Sequence, residues 1–288
     1  MQSIRAVRSV LAGLALVALG ASSASAQVDL AVTGGLDVTN QYNFRGIRQN
    51  TEGVSIWPYI DIGIPLASAD SGLTAVTLNL GTWNAFHSQI DNFVNRDGET
   101  SSNKWYESDL YATLGLGFSK TTLSFNYTSY TSPGNWFAHV KEFGIKLAYD
   151  DSEALGKGAV KPYALVAFEL SDEGQADAGA GKGTYLELGI APGYAGTRAS
   201  IAVPIKVGLS LNDYYEFGGL PPFTGEDSKF GYFSIAGIVT VPFAGNWNVH
   251  GGAELQAFGD NLKIYNGFGD DNDSSVAGIA SIGIGFSF

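Results

Sequence analysis

Eleven charged residues recur where the chain alternates between apolar and polar side chains. The acids are Asp37, Asp61, Glu107, Asp109, Glu142, Glu169, Glu187 and Glu254, and the bases are Arg45, Lys146 and Lys206. Each stands on the polar parity of its stretch, so strands would turn all of them to one face. The acids exceed the bases by about five charges on that face. Around a hydrated passage, rings of acidic side chains favour cations. In a narrow interior the same groups pair and fill the space. Both readings, pore lining and plugging, stand at this point. Arg45 is expected to pair with Glu107, Asp109, Glu169 or Glu187, and Lys146 and Lys206 with Asp37 and Asp61.

Other chemistry is poorly supplied. The histidines are His87, His139 and His250, and cysteine is absent. A serine hydrolase needs a nucleophilic Ser beside a His that a third group orients. None of the three stands in a His-x-Ser arrangement on a strand. Asp109 and His139 could meet at the outer rim as a barrel protease would require, but acids are common enough for such coincidences. The expectation is no enzyme. Without Cys there is no thiol nucleophile, disulfide scaffold or Cys-ligated zinc. Asp260, Asp270, Asp271 and Asp273 crowd the last loop, and oxygen clusters suit Ca²⁺. The spacing lacks the Gly and Glu of a twelve-residue calcium loop, so a solvated acidic loop is expected. The Ala/Gly-rich run from Gln175 to Gly183 is a flexible loop without the Gly-Lys-Ser/Thr ending of a phosphate cradle. No cofactor or metal is expected.

The elements that must position these residues are strands. Leu30, Val32, Leu36, Val38, Tyr42 and Phe44 fall on one parity, and Thr33, Asp37, Thr39, Gln41, Asn43 and Arg45 on the other. Period two over that length is a strand longer than the five or six residues usual in soluble domains. The pattern recurs to give twelve strands in all, the last carrying Ile282, Ile284, Phe286 and Phe288. Short connections follow strands two, four, eight and ten, and that after six is somewhat longer. Long polar or Gly-rich connections follow strands three, seven, nine and eleven. That alternation predicts a closed antiparallel transmembrane β-barrel with short periplasmic turns, longer outer loops and both termini periplasmic. In lipid no strand edge can stay open, so the sheet must close. Tyr42, Phe44, Phe118, Tyr149, Phe243, Trp247, Phe286 and Phe288 sit toward strand ends, where interfacial girdles belong. Helix is not expected after residue 26.

Composition agrees with that architecture. Of 288 residues, 15% are charged, 38 are Gly, and the formal net charge is −12. The charged share is well below the roughly 25% of soluble domains. No apolar run past residue 26 approaches the roughly 18 residues a spanning helix needs. The lack of a basic excess argues against a nucleic-acid partner. Residues 1–26 read as a secretory signal: Arg5 and Arg8, an apolar core from Val10 to Leu19, and Ala24-Ser25-Ala26 as the cleavage site. Residues 27–288 are then the barrel.

Two segments resemble known proteins. The alternation ending at Phe288 is similar to the terminal signal by which the barrel assembly machinery recognises bacterial outer-membrane proteins. The first hairpin, from Thr33 to Asn50, resembles the TorF family of porins in its Tyr42, Phe44, Arg45, Gly46 and Ile47. It departs from that pattern at Asn40-Gln41, where the family has Ser-Asp, and its turn lacks the customary Pro. The resemblance implies a porin of the bacterial outer membrane, in contact with lipid and passing small polar solutes or ions. The main expectation is passive diffusion through a net-acidic lumen. The alternative is a plugged barrel that displays its loops to partners, with Trp83, Trp105, Trp136, Tyr214 and Tyr215 near their roots.

Overall fold

The computed structural model describes residues 30–90, 94–171, 174–176, 181–219, 224–267 and 274–288. The expected signal segment and Asp270, Asp271 and Asp273 lie outside them. Twelve strands form one closed sheet, each antiparallel to the next. They are β1 (Ala31–Thr39), β2 (Ser55–Ser68), β3 (Ala75–His87), β4 (Trp105–Phe118), β5 (Thr121–Thr131) and β6 (Val140–Tyr149). There follow β7 (Tyr163–Glu169), β8 (Thr184–Ile190, continued by Gly193–Ala195) and β9 (Ser200–Ala202, continued by Ile205–Asn212). The wall ends with β10 (Phe230–Ala244), β11 (Trp247–Phe258) and β12 (Val276–Ser287). β1 pairs with both β2 and β12, which closes the barrel. The seam extends to the last residue: Phe288 and Val32 exchange backbone hydrogen bonds of 2.8 and 2.9 Å.

The gaps in β8 and β9 have a cause in Pro192 and Pro204, which lack the N–H a ladder needs. The register runs straight through, from Ile190 opposite Ile205 to Gly193 opposite Ala202. The lower ends of the strands are joined by the connections 69–74, 119–120, 150–162, 196–199 and 245–246. The upper ends are joined across 40–54, 88–104, 132–139, 170–183, 213–229 and 259–275.

Outside the barrel the alternating parity exposes large apolar side chains, among them Leu36, Leu110, Leu147, Phe233, Leu255 and Ile282. Leu255 and Ile282 are 63% and 61% exposed. A continuous apolar belt on a closed sheet is what contact with lipid demands, because charge there is costly. Phe118, Tyr149, Tyr194, Phe243, Trp247 and Phe288 lie exposed near the lower ends, as an interfacial girdle.

The upper lumen departs from expectation. Tyr42 and Phe44 do not continue β1 and are not in the girdle. β1 stops at Thr39, and residues 42–50 form a separate hairpin, Tyr42–Phe44 against Ile47–Asn50, inside the barrel. A side chain at the exit redirects the chain. The Thr39 hydroxyl donates to the Gln41 carbonyl at 2.9 Å, and Asn40 accepts the Ala280 N–H at 2.7 Å through its side chain. The Thr39 bond is local and competes with a continuing ladder, whereas Asn40 still bonds across to β12. Alternation persists past Thr39 because the hairpin is itself β, on a different axis. A second correction concerns helix: Asp260–Gly267 forms one after β11, and Ser152–Leu155 forms a single turn below β6.

Among the described residues, the hairpin, residues 213–219 and the helix Asp260–Gly267 enter the upper lumen, with Ala176 packed beside them. Ile47, Tyr185, Tyr214, Tyr215, Phe217, Tyr232, Phe258 and Leu262 pack together there. Tyr214 and Tyr215 are fully buried, so they do not stand at loop roots for display.

Candidate functional site

The site is built around the hairpin tip. Arg45 and Gly46 occupy its two central positions with φ of 49° and 83°. Positive φ at both is the requirement of a type I′ turn, the tight connection whose twist matches paired strands. A Cβ on Gly46 would lie 2.8 Å from Leu262 Cδ1 and 3.1 Å from the Tyr232 ring, so only Gly fits. The hairpin is then tied down by polar groups on every side. Tyr42 donates its hydroxyl to Glu107 at 2.8 Å, and Asn43 donates to Gln256 at 2.9 Å. Asn266, on the inserted helix, donates to the Gly46 carbonyl at 2.8 Å and accepts the Arg48 N–H at 2.9 Å. Tyr215 donates to the Arg45 carbonyl at 3.0 Å.

Arg45 itself reaches β6. Its two terminal nitrogens donate to both oxygens of Glu142, at 2.5 and 2.7 Å, and one also donates to the Tyr214 hydroxyl at 2.8 Å. The guanidinium lies 4.2 Å from the Tyr185 ring centroid. This two-nitrogen fork is the strong form of an Arg–carboxylate contact. Glu142 was not among the partners expected for Arg45. The reason for the correction is the hairpin, which carries Arg45 off the wall and across the lumen.

The remaining acids are also engaged, except that the buried Asp109 Oδ1 has no hydrogen-bond partner among the described residues. Glu107, Asp109, Glu142 and Glu169 are buried under the inserted segments and do not face open water. A one-residue bulge at Tyr106, where β3 steps from Ala85 to Phe86, turns both Tyr106 and Glu107 inward. Glu169 accepts the backbone N–H groups of Ala176 and Gly183, at 2.5 and 2.7 Å. Glu187 accepts the hydroxyls of Tyr163, Tyr185 and Tyr232, at 2.8, 2.8 and 3.2 Å. Glu254 accepts from Ser234 at 2.5 Å and Gln256 at 3.0 Å, with the Lys206 ammonium 3.9 Å away.

Asp37 bonds His250 at 2.5 Å, and Asp61 accepts from Asn79 at 2.6 Å. The expected pairing of Lys146 and Lys206 with these two acids does not form. β6 and β9 stand several strands away from β1 and β2 around the wall. Lys146 rests over the Tyr163 ring, 4.3 Å from its centroid.

Beneath the Arg45–Glu142 pair lies a cavity of about 400 Å³, lined by Thr113, Ser124, Asn126, Tyr130, Gly144, Lys146 and Leu165. That is within the range of small-molecule sites, roughly 300–1,000 Å³. Above the pair, Asp227 orders residues 213–219. It accepts the Ser210 hydroxyl at 2.7 Å and the N–H groups of Asp213 and Tyr215, at 3.1 and 3.2 Å, beside Lys229. Burial pushes its carboxyl up, but Lys229, Ser210 and the Tyr215 N–H outweigh it and hold the group below the usual aspartate value. Asp260 pairs with Lys263 at 3.0 Å.

Two Ser–His pairs escaped sequence reasoning. The Ser55 hydroxyl and His87 Nδ1 are 2.8 Å apart and buried, and the Ser129 hydroxyl and His139 Nε2 are 2.7 Å apart on the exposed side. Burial, then the neighbouring Lys141, lowers the His139 imidazole below its usual value. No local motif announces either pair. Ser55 and His87 meet only as register partners of β2 and β3.

No protein-family model matches the chain, and no curated protein matches it. Solved structures do. An outer membrane channel from Pseudomonas putida F1 is similar at TM-score 0.49 and 10% identity, over 93% of this chain and 100% of that one. The NanC porin is similar at TM-score 0.46 and 10% identity, over 90% of this chain and all of its own. Outer membrane phospholipase A from Escherichia coli is similar at TM-score 0.45 and 11% identity, over 88% of this chain and 95% of that one. The chain is a closed twelve-stranded antiparallel β-barrel, and the solved structures it is similar to include outer-membrane porins and channels. The TorF resemblance is not supported by these matches. The expectation of no enzyme is corrected: the matches include a phospholipase, and the chain does bring Ser and His within hydrogen-bond reach.

Proposed function

We propose that the barrel is a channel for passive diffusion of small polar solutes or cations, narrowed in its outer half by the inserted hairpin. In this reading residues 1–26 direct export, the terminal strand ending at Phe288 is read by the barrel assembly machinery, and Asp37, Arg45, Asp61, Glu107, Asp109, Glu142, Lys146, Glu169, Glu187, Lys206 and Glu254 set the lumen's charge. The observation that carries it is the junction at Arg45. Below this residue the interior is a polar cavity. Above it, the obstruction is the hairpin, held by hydrogen bonds and one ion pair and packed against residues 213–219 and the helix Asp260–Gly267. The acid excess on the inner face favours cations among the ions carried.

A second reading, a sealed barrel, is favoured by the packed cluster of Tyr185, Tyr214, Tyr215, Phe217 and Leu262. Planar-bilayer recording of the refolded protein separates the two. A channel shows discrete, cation-preferring steps that grow larger in Arg45→Ala. Silence of both wild type and Arg45→Ala, or anion preference, would overturn the proposal.

A further inference from the structure

The lumen as a whole is acidic, but the cavity under the hairpin is not. Its charged lining is Arg45, Glu142 and Lys146. Arg45 and Glu142 neutralise each other through their fork, which leaves the charge of Lys146 uncompensated. Among the described residues no carboxylate lies within 4.0 Å of the Lys146 ammonium. Lys146 is exposed at the mouth of the cavity, and its ammonium, stacked on one face by Tyr163, keeps donors free for a ligand.

The groups beside it are of matching kind. Ser124 is the cross-strand partner of Lys146 on β5, and its hydroxyl makes no side-chain hydrogen bond among the described residues. Thr113 accepts the Asn126 amide at 2.8 Å, which leaves its own hydroxyl proton to donate. The space itself depends on Gly144, one inward step from Lys146. A Cβ there would already touch Leu165 Cδ1 at 3.4 Å and Asn126 Cβ at 3.8 Å, so a larger side chain would occupy the cavity.

We propose that this cavity is a binding site for a small hydroxylated carboxylate. The carboxylate sits on Lys146 and Ser124, and the hydroxyls meet Thr113 and Asn126. The inference rests on the channel reading and adds to it a place in the lumen where one class of polar solute pauses. It also reverses, locally, the charge preference of the lumen as a whole.

The test uses the full-length protein in detergent micelles and calorimetric titration with sodium D-gluconate. D-Sorbitol serves as the neutral analogue of equal length, and D-glucosamine at pH 6 as the cationic one. Gluconate is expected to bind at least tenfold more tightly than either. Lys146→Gln should lose that advantage, roughly tenfold or more, as expected for one charge-assisted contact. Gly144→Leu should abolish gluconate binding while leaving the circular dichroism of the barrel unchanged. Where Gly144→Leu fails to fold, Lys146→Gln still decides the matter. Equal binding of gluconate and sorbitol, tighter binding of glucosamine, no binding of gluconate, or gluconate affinity unchanged in Lys146→Gln would overturn the site. Bilayer recording distinguishes this failure from that of the channel reading. Gluconate binding in a silent barrel keeps the site and removes the channel, and conducting steps without gluconate binding do the reverse.

Discussion

Arg45 sets two guanidinium nitrogens on the carboxylate of Glu142, 97 positions along the chain, at 2.5 and 2.7 Å. The contact joins the tip of an inserted hairpin to the wall opposite the strand it came from. It separates a packed upper lumen from the polar cavity below. Both partners are almost wholly enclosed, with side chains 11% and 4% exposed.

Removal of one partner leaves the other charge enclosed and unpaired. Arg45→Ala and Glu142→Gln are each expected to destabilise the barrel by about 3–5 kcal/mol. Arg45→Met combined with Glu142→Leu should recover much of that, because no charge is then stranded. Urea unfolding in detergent–lipid mixtures reads the difference. Single variants within 1 kcal/mol of wild type would show that the fork does not hold the hairpin.

The turn beside Arg45 gives a second handle on the same element. Gly46→Ala would combine a φ of 83° with a methyl 2.8 Å from Leu262 Cδ1. A non-Gly residue in that region costs about 1–3 kcal/mol. The hairpin should loosen from the helix Asp260–Gly267, and cleavage by an added protease should rise at both. Gly237→Ala, on β10 with nothing within 4 Å of its Cβ, is the control. Equal cleavage in the two variants would argue against a tight seat for the tip.

Period-two alternation made the barrel legible, because a one-residue step moves a side chain between lipid and lumen. Leu36 and Asp37 lie on opposite faces for that reason, as do Ile282 and Gly283. The same signal misled at Tyr42 and Phe44. A hairpin inside the lumen has the same period as the wall, and the local Thr39 bond at its exit leaves no trace in hydrophobicity. Partners were hidden for a related reason. Closure of the barrel decides who meets Arg45, and nothing near residue 45 or residue 142 encodes it. The Ser55–His87 pair depends likewise on register between two strands. The helix Asp260–Gly267 lies in a polar loop and has too weak an apolar stripe to be read beforehand.

Asp227 predicts a pH dependence for the segment that carries Tyr214 and Tyr215. Its folded pKa is depressed, so its stabilisation is complete above the unfolded value, about 3.9, and is lost as pH falls through the lower folded value. Cleavage of residues 213–229 by an acid-active protease should stay low in wild type down to about pH 4 and climb below it. Asp227→Asn should begin at the higher rate and change little across that window. Superimposable pH profiles would show that the carboxylate does not order the loop.

The outer face offers the most direct check of the membrane assignment. Ile282, 61% exposed, lies midway along β12 between Val38 of β1 and Gly251 of β11. An Arg there must hold its charge in hydrocarbon, at a cost of about 2–4 kcal/mol near the bilayer midplane. Thr33 is the natural contrast. It stands on the opposite parity and pairs across the strand with Asp61. Thr33→Lys puts a cation toward the lumen beside an acid, so its cost should stay within about 1 kcal/mol. Reversible unfolding from lipid vesicles measures both. An Ile282→Arg cost no greater than that of Thr33→Lys would mean that the apolar belt does not face lipid. The sidedness of every inward residue named above would then have to be reassigned, because a shift of one position exchanges the two faces throughout the wall.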